Sequence, residues 1–235
     1  MNIALILSGG TGVRLGAGVP KQYISVQGKP IISYCIEKIS AHAQIDAITI
    51  VADQKWQKDL KIWIKEADRT KKFRGFSQPG ANRQMSILNG LEDISCYAEA
   101  EDVVLIHDAA RPMLSDEQIT ACLTEIEGHD GILPVLPMKD TVYMSEDGKR
   151  VFSLMDRSKI FSGQAPESFV LGKYLEANRR LLPDRILKIN GSTEPAVMAG
   201  MDIAMIAGDE NNFKITTQAD LNRFCGIVKE RGNML

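Results

Sequence analysis

The sequence predicts an α/β fold in which a mostly parallel sheet is covered by helices on both faces. Two observations support this: apolar strand-like runs recur along the chain, and the segments between the earlier runs carry apolar residues at helical spacing. Strands that alternate with helices form βαβ units, and such units produce a parallel sheet. The predicted strands lie at 3–7, 47–51, 72–76, 103–107, 132–136 and 203–207.

Five helices are expected from the same spacing rule. The residues that define the first three are Ile31, Ile32, Tyr34, Cys35 and Ile39, then Trp56, Leu60, Trp63 and Ile64, then Met85, Leu88 and Leu91. The stretch "FVLGKYLEANRRLL" at 169–182 predicts a fourth helix. The closing stretch "TTQADLNRFCGIVKERG" predicts a last helix with a threonine cap and an apolar stripe at Leu221, Phe224 and Val228.

Between 138 and 164 the regular alternation of strand and helix fails. Residues typical of strands lie on both sides of Glu146-Asp147-Gly148, and Asp-Gly is a signal for a hairpin turn. This segment therefore predicts a two-stranded β-arm that leaves the main body. An isolated hairpin is only marginally stable in water, so we expect the arm to pack against something, such as a second subunit.

Composition places the chain among ordinary globular proteins and predicts one domain over 1–235. It has 235 residues, 44% hydrophobic and 25% charged, with a formal net charge of −2. That charge does not indicate binding to nucleic acid or to an anionic membrane. The apolar stretch at the N-terminus is too short for a signal peptide or a membrane span, which predicts a cytoplasmic protein. The four cysteines have no CxxC pair, so neither a zinc site nor a disulfide framework is expected.

In parallel sheets ligands bind beyond the carboxyl ends of the strands, so the loop after the first strand is the first candidate site. It reads "SGGTGVRLGAGVPKQY" over 8–23. Glycine backbone groups can approach phosphate oxygens closely, and Arg14 and Lys21 would supply countercharge. Two familiar motifs fail: Lys21 does not complete a Walker loop, and Leu15 stands where the dinucleotide fingerprint requires its third glycine. A flexible loop with surface charges is the alternative.

The same loop, through its Pro-Lys-Gln ending, resembles the signature of the 2-C-methyl-D-erythritol 4-phosphate and ribitol-5-phosphate cytidylyltransferases. The resemblance continues in the same order along nearly the whole chain. The further matching segments are "PGANRQMSILNGL" (79–91), "HDAARPML" (107–114), "KDTV" (139–142), "DRSKIFSGQAPESF" (156–169) and "NFKITTQADL" (212–221).

This resemblance implies a three-layer, Rossmann-like nucleotidyltransferase fold with a protruding β-arm. The implied reaction transfers CMP from CTP to a polyol phosphate and releases pyrophosphate, with Mg²⁺ or another divalent cation as cofactor and with a homodimer formed through the arm. The implied catalytic residues are Arg14, Lys21 and Lys214. The implied nucleotide-binding residues are Ser8, Gly9, Gly10, Gly12, Gly80, Ala81, Arg83 and Ser86. The implied acceptor-binding residues are Asp108, Arg111, Thr141 and Arg157, and Asp108 is also the implied metal ligand.

The sequence motifs do not agree on the identity of the acceptor substrate. "HDAARP" favours methylerythritol phosphate, which we expect, whereas "SGQAPE" resembles the ribitol enzymes more. Relatives commonly carry Thr-Pro-Gln where this chain has Ala165-Pro166-Glu167, and a Thr-Asp pair near Ser192-Thr193. Two other classes remain as alternatives: a regulatory protein that binds CTP without catalysis, and a dinucleotide-dependent oxidoreductase, which the failed fingerprint disfavours.

Overall fold

A computed structural model of the chain describes residues 1–10 and 18–232. The strands in this part of the chain are β1 (Asn2–Leu7), β2 (Ser25–Val26), β3 (Lys29–Pro30), β4 (Ala47–Val51), β5 (Phe73–Ser77), β6 (Val103–Asp108), β7 (Gly131–Pro137), β8 (Tyr143–Met144), β9 (Ser153–Leu154), β10 (Phe161–Gly163), β11 (Glu167–Val170) and β12 (Ile203–Ala207). The α-helices are α1 (Ile31–Ala41), α2 (Gln54–Ala67), α3 (Arg83–Ile94), α4 (Asp116–Thr124), α5 (Leu171–Arg179), α6 (Glu194–Met198) and α7 (Gln218–Gly232).

The central sheet has the order β5, β4, β1, β6, β11, β7 and β12, with β10 on the same edge of β7 as β11. Neighbouring strands β1–β4, β1–β6, β4–β5 and β7–β12 are parallel. The mostly parallel α/β sheet that the sequence predicts is therefore confirmed, and all six predicted strands are present within a residue or two of the expected bounds.

Burial on both faces explains why β1 is a continuous apolar run. Ile3, Ala4, Leu5 and Ile6 are fully buried. One face packs with α1, α2 and α4, whereas the other packs with α3, α5 and α6. A strand covered on both sides has no solvated face and so cannot alternate with polar residues. The sheet with its two helical layers gives the three-layer arrangement.

The predicted start of the helix at 169–182 is wrong. Phe169 and Val170 belong to β11, which pairs antiparallel with β6 on one side and with β7 on the other, and α5 begins only at Leu171. A four-residue strand between two others is held by hydrogen bonds to distant segments, which local spacing does not reveal.

The β-arm is present, with a narrower extent than 138–164. Its strands β8 and β9 pair antiparallel, and the loop between them contains the expected Asp147-Gly148 turn, in which the Asp147 carboxylate accepts the N–H groups of Lys149 and Arg150. β10 returns to the central sheet by pairing with β7. In the described part of the chain, no helix is both long enough and apolar enough to cross a membrane.

Candidate active site

A cleft of about 610 Å³ lies where the loops after β1, β5 and β6 meet the segment before α7. This is the edge of the sheet at which parallel strands end, where α/β proteins bind their ligands. The residues that line the cleft are Leu7, Gly9, Gly10, Lys21, Gln22, Gly80, Ala81, Asn82, Arg83, Ser86, Asp108, Ala110, Lys214 and Thr216. Segments far apart in the chain therefore form one polar, cationic hollow.

Two loops of the cleft are packed so closely that glycine is required. A Cβ atom at Gly80 would lie 2.7 Å from the carbonyl carbon of Met85 and 2.9 Å from the nitrogen of Ser86, both in the first turn of α3. The Gly80 N–H donates to Ser86 Oγ at 2.9 Å, and Asn82 caps α3 by accepting the Met85 N–H at 2.8 Å. A Cβ at Gly9 would lie 2.6 Å from Pro79 Cβ. These contacts fix the loops after β1 and β5 against each other.

Asp108 is the centre of the charge arrangement. Its Oδ1 accepts from the Arg83 guanidinium at 3.3 Å, and its Oδ2 lies 3.0 Å from Lys214 Nζ and 3.4 Å from Arg111 Nε. Burial alone would raise the pKa of Asp108, but the charges of Arg83, Lys214 and Arg111 outweigh burial and hold the pKa well below its usual range. One buried carboxylate thus holds three cations beside the cleft.

Two further titratable groups are buried beside this cluster. Burial raises the pKa of Glu167, and the Arg83 charge and a hydrogen bond with Ser192 offset only part of that effect. The Oε2 atom of Glu167 has no hydrogen-bond partner among the described residues. Burial lowers the pKa of His107 to about 4, so this histidine is neutral at physiological pH, and its Nε2 lies 3.0 Å from the Arg111 carbonyl oxygen.

The structure brings most of the predicted site residues together. The predicted residues that line the cleft are Gly9, Gly10, Lys21, Gly80, Ala81, Arg83, Ser86, Asp108 and Lys214. Ser8 and Arg111 are not among the residues that line the cleft. The Ser8 hydroxyl donates to Tyr23 Oη at 2.8 Å, and Arg111 forms an ion pair with the cleft residue Asp108. Gly12 and Arg14 lie outside the described residues.

The two predicted residues of the arm do not reach the cleft of their own chain. Thr141 is exposed, and Arg157 is an exposed side chain that donates to the Lys139 carbonyl oxygen at 2.8 Å. The family resemblance implies a role in acceptor binding for both residues, and this role stays a prediction. Sequence reasoning missed Gln22 and Thr216, which both line the cleft. For Gln22 the signal was available, because it stands inside the Pro-Lys-Gln ending.

Comparison with known proteins decides the family. The profile described as "IspD: 2-C-methyl-D-erythritol 4-phosphate cytidylyltransferase" matches residues 2–230. The chain belongs to the IspD family. It is therefore a cytidylyltransferase, one of the nucleotidyltransferases. The family that the sequence motifs predict is confirmed.

Curated relatives of this IspD-family chain carry two different names. The ribitol-5-phosphate cytidylyltransferase of Streptococcus agalactiae serotype III (strain NEM316) is 31% identical over 234 residues, which is 99% of this chain and 98% of that protein. The bifunctional enzyme IspD/IspF of Bradyrhizobium diazoefficiens is 33% identical over 219 residues, which is 93% of this chain and 54% of that protein.

A solved structure agrees with the fold of this IspD-family chain. The crystal structure of 4-diphosphocytidyl-2C-methyl-D-erythritol synthase from Anaerococcus prevotii superposes with a TM-score of 0.82, at 21% identity, over 97% of this chain and 96% of that one. The predicted nucleotidyltransferase architecture is thereby confirmed.

Proposed function

We propose that this chain transfers CMP from CTP to a polyol phosphate and releases pyrophosphate. The observation that carries the proposal is the cationic cleft, in which Lys21, Lys214 and Arg83 line one hollow of about 610 Å³ beside Asp108. A hollow lined by fixed cations favours a substrate with several phosphates. Membership of a cytidylyltransferase family supports CTP as that substrate.

In the proposed reaction a phosphate oxygen of the acceptor attacks the α-phosphorus of CTP. A new P–O bond forms as the bond from the α-phosphorus to the bridging oxygen breaks, and pyrophosphate leaves with the bonding electron pair. Two anions must approach each other, so catalysis depends on positioning and on charge neutralisation. The residues we assign to neutralisation are Lys21, Lys214 and Arg14, with Arg83 and Arg111 held in place by Asp108.

A divalent cation is part of the proposal, and the geometry of Asp108 limits how the protein can hold it. Mg²⁺ is usually bound by one or two carboxylates together with substrate phosphates. In the described part of the chain no group of three or more histidine, cysteine or acidic side chains could hold a metal, and Asp108 already faces three cations. We therefore propose that the cation enters bound to the phosphates of CTP, with Asp108 supplying at most one ligand. When bound, it would neutralise phosphate charge.

Two acceptors follow from the comparisons. We propose 2-C-methyl-D-erythritol 4-phosphate first, because the matching family profile is described by that substrate over 2–230. D-Ribitol 5-phosphate is the second candidate, because a relative matched over 98% of its length is named ribitol-5-phosphate cytidylyltransferase. The two imply different roles, isoprenoid precursor synthesis for the first and cell-envelope polymer synthesis for the second.

Release of pyrophosphate from CTP and Mg²⁺, measured with a panel of polyol phosphates, tests the proposal. We expect turnover with methylerythritol phosphate. Turnover with ribitol phosphate alone would replace the first acceptor by the second. CTP binding without turnover on any acceptor would instead favour the regulatory class.

We also propose that a second copy of the chain covers the β-arm. The arm carries apolar side chains that the chain itself leaves exposed, namely Tyr143, Met144, Val151, Phe152 and Leu154. Such a concentration of apolar surface on a two-stranded arm is typical of an interaction site. A partner in this position would also bring Thr141 and Arg157 toward a neighbouring cleft.

A further inference from the structure

Gln22 forms an unusual pair of hydrogen bonds in the cleft. Its side-chain Nε2 donates to the carbonyl oxygen of Ser8 at 2.8 Å and to that of Gly10 at 2.8 Å. An amide nitrogen has two N–H groups, so both donors are used. The side chain is only 3% exposed, and yet it lines the cleft next to Lys21. Gln22 therefore ties two points of the glycine loop to the turn that carries Lys21.

These bonds determine which way the loop backbone faces. In a trans peptide the C=O and N–H groups point in opposite directions, so a Ser8 carbonyl held by Gln22 directs the Gly9 N–H away from Gln22. A carbonyl oxygen turned toward a phosphate would repel it, whereas an N–H attracts it. Gly9 and Gly10 both line the cleft. Holding the Ser8 and Gly10 carbonyl oxygens on Gln22 therefore keeps them from turning toward a bound anion.

Tyr23 makes a second attachment to the same strand end. Its hydroxyl donates to the Ser8 carbonyl oxygen at 3.2 Å and accepts from Ser8 Oγ at 2.8 Å. Its ring packs against both Trp56 and Trp63 of α2, with centroid separations of 4.8 and 5.5 Å. The loop is thus anchored through Tyr23 to the core and through Gln22 to the cleft.

We propose that Gln22 is a positioning residue that holds the backbone of residues 8–10 in a phosphate-binding conformation and fixes Lys21 relative to it. The inference rests on the proposed function for the identity of the nucleotide, and it adds a residue that acts through the loop backbone. A purely structural role would lower thermal stability alone. A positioning role lowers phosphate affinity and turnover by more than any loss of stability explains.

The test compares Gln22→Met with a matched variant, Gln57→Met. Both changes replace an amide by an unbranched side chain without charge. Gln57 lies on α2, outside the residues lining the cleft, and its Nε2 donates to one carbonyl oxygen, that of Ala52, at 3.3 Å. Affinities for CTP and for pyrophosphate are followed by the fluorescence of Trp56 and Trp63, the two tryptophans of the chain. Turnover and the thermal midpoint are measured in parallel.

We expect Gln22→Met to weaken both affinities and to lower kcat by about 10-fold or more, because the Gly10 carbonyl oxygen loses the Gln22 bond that holds it and the Ser8 carbonyl oxygen keeps only the longer bond from Tyr23. Gln57→Met should leave affinity and kcat within about 2-fold of the unchanged chain. Equal affinity and kcat in the two variants would overturn the inference, whatever their thermal midpoints. If Gln22→Met does not fold, Gln22→Asn decides: its amide is one methylene shorter and cannot keep both bonds to the Ser8 and Gly10 carbonyl oxygens, so pyrophosphate binding should weaken, and unchanged binding would overturn the inference.

Failure of the proposed function would look different. If the unchanged chain binds pyrophosphate but turns over no polyol phosphate, the proposed function is wrong. The phosphate affinities of the two methionine variants would still test the role of Gln22. An unchanged chain that binds neither CTP nor pyrophosphate would overturn both.

Discussion

At the scale of single residues, the site is built on carboxylates that behave oppositely. Asp108 is buried among Arg83, Lys214 and Arg111, which hold its pKa low, and so it is ionised at any physiological pH. Glu167 is buried with less compensation, and its pKa is raised. The two pKa values differ because the two carboxyl groups have different contacts. Asp108 forms ion pairs with three cations, whereas one oxygen of Glu167 has no hydrogen-bond partner among the described residues. Burial alone therefore does not decide the charge of a carboxyl.

Glu167→Gln is expected to change how stability depends on pH. A carboxyl whose pKa is raised by folding stabilises the folded state fully below its unfolded pKa, and this contribution is lost as pH rises through the folded pKa. The stability of the variant relative to that of the unchanged chain should therefore rise as the pH is raised from 4 to 8. Thermal midpoints across this range measure the effect.

Glu92→Gln is the matched control with the opposite sign. Its bidentate ion pair with Arg179 lowers the pKa of Glu92, so its contribution is present above the unfolded pKa and is lost as pH falls. At pH 8 this variant should be less stable than the unchanged chain by less than about 1 kcal/mol, because the ion pair is exposed, and the difference should shrink as the pH falls through the folded pKa of Glu92. Parallel pH curves for Glu167→Gln and the unchanged chain would contradict the assignment for Glu167.

At the scale of elements, the cleft depends on loops that are fixed by close packing. The loop after β5 enters α3 through Gly80, whose N–H donates to Ser86 while Asn82 caps the helix. The loop after β1 contacts the same segment where Gly9 meets Pro79. The strand ends determine where the loops begin. The close contacts between these loops determine the shape of the cleft.

Gly80→Ala should therefore damage the cleft. Its Cβ would meet the backbone of Met85 and Ser86, which are held in α3, so the loop must move rather than a side chain. We expect CTP affinity to fall by about 10-fold or more and stability to fall by about 1–3 kcal/mol. Gly75→Ala, in β5, is the control because nothing lies within 4 Å of its Cβ. Calorimetric CTP binding by both variants measures the effect, and equal affinities would show that the loop tolerates a side chain.

At the scale of the whole molecule, the sheet and the arm differ in how far their apolar side chains are buried. The sheet buries its apolar strands on both faces, whereas the arm leaves Phe152 and Leu154 more than 60% exposed. Its Arg157 lies outside the cleft of its own chain. The proposed homodimer accounts for both observations, since one chain then supplies the cleft and its partner supplies the arm.

Mixed dimers test this arrangement. Lys21→Ala disables a cleft and Arg157→Ala disables an arm, so each variant alone should have low activity when the acceptor concentration is far below KM. Mixing equal amounts should restore about a quarter of normal activity, because half of the dimers are mixed and each contains one intact combination of cleft and arm. Pyrophosphate release before and after mixing, with subunit exchange checked by sedimentation, measures the recovery. Absence of recovery in exchanged dimers would count against an arm that acts across subunits.

The sequence by itself determined the parallel part of the sheet and most of the cleft. The strands that became β1, β4 and β6 are apolar runs followed by glycine or charged residues, and parallel strands end at one edge, so the loops that follow them meet. The strand-end rule therefore pointed to the glycine loop, whereas Gly80 and Asp108 were assigned to the same site by the family resemblance. The Pro-Lys-Gln ending and the later matching segments then predicted the family.

Only the tertiary structure decided how distant segments pair. β11 was predicted as the start of a helix because a short apolar run fits either structure locally, and its pairing with β6 and β7 depends on residues more than 30 positions away. Burial of the Glu167 carboxyl follows from that pairing. The two hydrogen bonds from Gln22 to Ser8 and Gly10 likewise require the folded loop. Local sequence carries periodicity and turn chemistry, whereas the contacts that place a buried polar group are made across the chain.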